Sequence, residues 1–241
     1  MTPLGCKEMV KMYYNESMKR KNPLVNGQVY HIFNRSIAEY KIFNDTKDYQ
    51  RLLYLINFFQ LKELPCKFAN FINSKQVQQN GFLNYLNSIT KDDENLVQLI
   101  AYCFMPTHIH LVLKQLSTDG ISTFMSNVLN SYSRYFNTRH KRKGPLWESK
   151  FQNVLVNKDE QLLHLTRYIH LNPVTAKIVD KPEDWSYSSY KEYIRETNDN
   201  EIICNYADLL EIKTSEYKKF TTGRIPYQRE LAILKKITID L

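Results

Sequence analysis

The sequence has few cysteines and no close pair of them: Cys6, Cys66, Cys103 and Cys204 stand far apart and form no CxxC. That excludes the usual zinc-ribbon spacing and gives no sign of a disulfide framework. No apolar run approaches the roughly 20 residues that a membrane-crossing helix needs. The opening stretch, MTPLGCKEMVKMYYNESMKRKNP, lacks the continuous apolar segment of a signal peptide. A cytoplasmic protein with no membrane partner is therefore expected. There is no internal repeat and no GxxxxGK[ST] loop, so nothing points to chemistry driven by ATP.

What the chain does contain is enough apolar material for a core. Its 241 residues are 43% hydrophobic and 13% aromatic, a globular composition that argues against disorder. Lysine and arginine outnumber aspartate and glutamate 33 to 25, a net charge of +8 that favours a polyanionic partner.

Residues 1–25 are basic and aperiodic and read as an arm, with Lys19, Arg20, Lys21 and Pro23 near its end. After Asn26 and Gly27, Val29 to Ile37 has strand character. Asp45 or Thr46 can cap a helix whose stripe is Tyr49, Leu52, Leu53, Ile56 and Phe59. The less regular stretch at about 62–95, rich in glutamine and asparagine from Gln76 to Asn80, reads as an insertion. Val97 to Leu113 returns to strand character, and Pro106 divides it into two strands meeting at a turn. A second helix opens at Asp119 and Gly120, with Ile121, Phe124, Met125, Val128, Leu129 and Tyr132 on one face.

A short strand at Phe151 to Val156 follows, and Asn157 and Glu160 have capping-box spacing for a third helix. Pro173 is expected to end or kink that helix near Asn172. The main domain spans 26–195, and 196–241 reads as a helical C-terminal extension. This order predicts an α+β fold, a ferredoxin-like or RRM-like antiparallel sheet with helices packed on one face.

Chemistry concentrates in two places. His108 and His110 alternate with Ile109 in a strand, so both imidazoles point to one face, a ready metal site or simply a hydrogen-bonded pair. On the third helix, beside the stripe of Leu162, Leu165 and Ile169, Tyr168 and Asn172 stand one turn apart on one flank. Tyr168 can attack phosphorus and the Asn172 amide oxygen can join the histidines on a metal. A phenol with a pKa of about 10 is a sluggish nucleophile, and a nearby cation would help it. With 17 tyrosines in the chain, an ordinary boundary tyrosine is the competing reading.

The segments AYCFMPTHIHLVL, GPLWESKFQNV, TRYIHLNPVTAKIV and DWSYSSY, with VYHIFNRSI on the first strand, resemble the REP-associated tyrosine transposases of the HUH single-tyrosine family. The resemblance covers roughly residues 26–195. It implies Tyr168 as nucleophile, His108, His110 and Asn172 as ligands of Mg²⁺ or Mn²⁺, and single-stranded DNA with hairpins as substrate. The implied reaction is a transesterification through a 5′-phosphotyrosine, by a monomer or a homodimer. Thr107 stands where the family usually has asparagine.

Arg139, Lys141, Arg142 and Lys143 form the densest basic cluster, suited to DNA phosphates, and Trp147 can stack on a base or pin its loop. Arg35 and His31 can line a DNA groove, and Arg35 is preferred because the family often has arginine there. Tyr132 fits core packing, while Trp185, Tyr187 and Tyr190 fit a packing motif. The alternative function is a non-catalytic, domesticated module that binds single-stranded nucleic acid.

Overall fold

A computed structural model of the chain describes residues 23–90, 95–198 and 201–225. All but the end of the basic arm, and the last part of the C-terminal extension, lie outside the described residues.

Strand β1 is Val29–Arg35. Helix α1, Thr46–Phe59, follows, and the Asp45 side chain caps it by accepting from the backbone N–H of Lys47 and Asp48. The segment expected to be irregular forms three short helices, α2 (Phe68–Ile72), α3 (Lys75–Asn80) and α4 (Phe82–Ile89). Their Phe68, Phe71 and Phe82 pack with Phe58 of α1 in one aromatic cluster. Strands β2 (Val97–Met105) and β3 (His108–Gln115) form a hairpin turning at Pro106, as the sequence predicts.

Helix α5, Gly120–Arg139, comes next, then strand β4, Gln152–Val156, and helix α6, Asp159–Thr175. Gly120 is required by close approach, since a Cβ there would sit 2.3 Å from the Leu96 carbonyl oxygen. Two short helices complete the described chain, α7 (Tyr190–Tyr193) and α8 (Thr214–Thr222).

The four strands form one antiparallel sheet in the order β2-β3-β1-β4. Alternation divides its side chains into two sets. Tyr30, Ile32, Ile109, Leu111 and Leu113 face a core shared with α1 and α5. The α+β antiparallel class holds, but helices cover both faces rather than one. Helix α6 packs on the opposite face, where its Leu162 and Ile169 join Ile100, Ala101, Cys103 and Met105 of β2 and Val112 of β3. This is why β2 is mostly apolar and buried along its whole length: a strand covered on both sides has no solvent-facing alternation. Its outer edge is also covered, because Phe104 donates to Tyr187 and accepts from Trp185, and the Tyr102 carbonyl accepts from Ser189. The packing role expected of Trp185 and Tyr187 is thereby met.

Two details of α6 differ from expectation. The reciprocal cap comes from Gln161, whose side-chain oxygen accepts from the Asn157 N–H, while Lys158 occupies the cap position without a side-chain bond. Pro173 neither ends nor breaks the helix at Asn172. It falls in the last turn, where one missing donor costs little, and Ala176 and Ile178 still donate to the carbonyls of Asn172 and Pro173.

Helix α6 is held at its centre by a buried imidazole. His170 Nδ1 lies 2.6 Å from the Tyr217 hydroxyl of α8, and Nε2 lies 2.8 Å from Ser189 Oγ. Arg167 stacks over Phe220 of α8 as well, 4.0 Å from the ring centroid. Changing Tyr217→Phe leaves His170 Nδ1 without its partner in a dry site. The expected loss is about 1–3 kcal/mol, read as a lower urea midpoint at unchanged m-value.

Candidate active site

The face under α6 carries the polar half of the central strands. In the β1–β3 register Arg35 stands opposite His108 and Phe33 opposite His110. The same parity puts His31, Phe33, Arg35, His108 and His110 on one side of the sheet. The His108 and His110 ring centroids are 5.1 Å apart and the rings are perpendicular. Tyr168 stands over this group, its ring centroid 6.1 Å from that of His110 and 6.5 Å from that of His31. It is 44% exposed, so the side chain is reachable from solvent. Side chains from β1, β3 and α6 thus meet.

Both histidines expected to bind metal are uncharged at neutral pH. Burial first, and the neighbouring Arg35 charge second, lower the His108 pKa to about 4. Burial also lowers His110 well below the usual range, helped by His31, His108 and Arg35. Neutral imidazole is the form that binds metal. Each ring has its Nδ1 engaged, His108 by Thr107 Oγ1 at 3.1 Å and His110 by His31 Nε2 at 3.0 Å. The Nε2 atoms are thereby left as the donors for an ion.

Asn172 lies on the same flank of α6 as Tyr168. Its Nδ2 is buried without a hydrogen-bond partner, and a half-turn of the amide puts the oxygen in that place. Two neutral imidazoles and an unsatisfied amide suit a divalent cation that keeps open positions. Among the described residues no three His, Cys, Asp or Glu side chains are grouped so as to hold an ion.

The basic cluster divides. Arg139 is committed to Asp45, at 2.6 Å, and to the buried Asp48. Asp48 also holds His140 and Tyr135. Arg142 lies over Tyr40 and donates to the carbonyls of Gly144 and Pro145. Trp147 donates its indole N–H to the Leu129 carbonyl and packs near Tyr132. These three hold the loop after α5 in place, and for Trp147 this is the loop-pinning alternative read from the sequence. Lys141 and Lys143 are exposed, and so is Arg35. The loop runs beside the site, since Glu148 donates to the Arg35 carbonyl and Ile37 to that of Leu146. His164 is exposed and bonded to Arg167 on the helix surface. Sequence reasoning missed His31 as part of this cluster, although its parity with Phe33 and Arg35 was a signal.

Residues 66–172 match the family model described as "Transposase IS200 like". That span includes His108, His110, Tyr168 and Asn172. A Haemophilus influenzae protein described as a REP-associated tyrosine transposase is 28% identical over 108 residues, 41% of this chain and 61% of that protein. Among solved structures, a REP-associated tyrosine transposase bound to a REP hairpin is 14% identical, with a TM-score of 0.49, covering 81% of this chain and 98% of that one. A Deinococcus radiodurans protein described as a transposase is 16% identical, with a TM-score of 0.34, covering 63% and 95%. The resemblance read from the sequence motifs is upheld by the family match and the curated relative.

Burial of uncharged histidines makes folding pH-dependent. His31 and His108 are lowered to about 4 and His170 to about 3 in the folded chain, chiefly through burial. Unfolded histidine titrates at about 6.5. Between roughly pH 6.5 and 4 the unfolded state therefore binds more protons, and stability falls as pH falls. Urea midpoints at pH 7, 6 and 5 measure this. In His170→Gln the slope should drop by up to about 1.4 kcal/mol per pH unit, and an unchanged slope would count against a neutral His170.

Proposed function

We propose, from the match of residues 66–172 to the family model described as "Transposase IS200 like", that this protein cuts and rejoins single-stranded DNA with Tyr168 as nucleophile. The observation that carries this reading is the exposed phenol standing over the His31, His108 and His110 face. A binding module has no need of such a convergence.

In the reaction, Tyr168 Oη attacks a backbone phosphorus. An Oη–P bond forms, the P–O3′ bond breaks, and the departing 3′ oxygen takes the proton. The 5′ phosphate stays on the protein until a 3′-hydroxyl reverses the exchange. One phosphoester replaces another, so no nucleotide hydrolysis is required. His108, His110 and Asn172 would hold a divalent ion, and two imidazoles favour Mn²⁺ over the harder Mg²⁺. Such an ion supplies charge against the phosphate oxygens and fixes the scissile group.

Arg35 borders the pair on the open face, and Lys141 and Lys143 extend positive charge along the neighbouring loop. A strand bearing a hairpin is the substrate that the resemblance implies, and a cytoplasmic location goes with it. No helix among the described residues is long and apolar enough to cross a membrane. One chain supplies all four residues, so a monomer or a homodimer serves.

Covalent trapping tests the reading. Wild type and Tyr168→Phe would be incubated with end-labelled single-stranded hairpins taken from the DNA flanking the gene, with Mn²⁺ or with EDTA. A metal-dependent adduct present in wild type and absent in Tyr168→Phe is expected. Tight binding with no adduct in any metal would favour the non-catalytic module. Separately, Asn172→Ala should weaken Mn²⁺ binding in calorimetry while DNA affinity is kept, and an unchanged metal affinity removes Asn172 from the ligand set.

A further inference from the structure

His31 is half-buried on β1, diagonal across the β1–β3 ladder from His110. The two rings are near parallel, 22° apart with centroids at 5.2 Å, and His31 Nε2 meets His110 Nδ1 at 3.0 Å. Two neutral imidazoles joined in this way share one proton between the facing nitrogens. If it sits on His31, then His110 carries its own proton on Nε2 and has no lone pair there. If it sits on His110 Nδ1, the Nε2 lone pair is free. His31 has its Nε2 turned to His110 Nδ1, so that nitrogen is engaged with the ring of a proposed ligand.

We infer that His31 is a positioning residue: it accepts the Nδ1–H of His110 and so presents the Nε2 lone pair of that ring to a divalent cation. The inference rests on the reading that His108 and His110 hold the ion. Thr107 Oγ1 can serve His108 Nδ1 in the same way, which gives the residue before the pair a task. Carboxylates and carbonyls commonly fill this role behind metal-binding histidines. A buried carboxylate would add a charge to desolvate, whereas a neutral ring accepts without one.

The test combines a metal-free and a metal-bound measurement on the full chain. In wild type without metal, ¹⁵N imidazole spectra should show His110 protonated on Nδ1, the reverse of the tautomer that free side chains favour. His31→Phe keeps a ring beside Phe33 and Tyr168 but removes the acceptor. It should shift His110 toward the Nε2–H form and weaken Mn²⁺ binding, read by electron paramagnetic resonance, by about 10- to 100-fold. His31→Gln restores an acceptor and should recover most of that affinity. Equal Mn²⁺ affinity in wild type and His31→Phe, or a wild-type His110 protonated on Nε2, overturns the inference and leaves the proposed reaction standing. Wild type that binds no Mn²⁺ overturns the inference together with the metal ligand set.

Discussion

The parity of the β1–β3 ladder governs almost everything else in this molecule. Side chains alternate across a strand, so one register puts Tyr30, Ile32, Ile109 and Leu111 into the core and His31, Arg35, His108 and His110 on the other face. A slip of one residue between the strands would exchange the two sets. It would bury imidazoles and a guanidinium under α1 and α5 and leave Tyr30 and the core aliphatics on the face crossed by α6. Burying each large apolar side chain is worth about 1.5–3 kcal/mol, and several are at stake, so the register is strongly held. The core therefore aims the candidate site.

The second requirement is that α6 lie across that polar face rather than beside α1 and α5. Its apolar side meets β2, which can accept it because both faces of β2 are apolar. Its centre is fixed by His170 between Ser189 and Tyr217, and its far side is covered by Phe220. Tyr168 projects from a helix with neighbours on three sides, which holds the phenol near the histidines while the side chain stays open to solvent.

Much of this was legible in local sequence pattern. The divided strand at Pro106, the alternation of His108 and His110, and the one-turn spacing of Tyr168 and Asn172 depend only on strand and helix periods. What escaped depends on contacts between distant residues. Nothing near Arg139 announces that Asp48, 91 positions earlier, will claim it. Likewise His31 and His110 are 79 positions apart, and only the ladder joins them. The covering of both sheet faces was missed because an amphipathic helix shows that it packs without showing which side it takes. Glu160 had the right spacing for a cap, yet Gln161, one residue on, reaches the Asn157 N–H.

Strand β1 lies in the middle of the sheet but precedes both of its neighbours in the chain. Its partner β3 begins at His108 and β4 at Gln152. On a ribosome adding about 5–20 residues per second, β4 emerges on the order of ten seconds after β1. Until β3 follows, Tyr30 and Ile32 have no sheet to join and both edges of β1 offer unpaired backbone groups, and the edge that β4 covers stays open longer still. The strand that unites the site is the one longest exposed to wrong partners during synthesis, so chaperone demand should centre on β1.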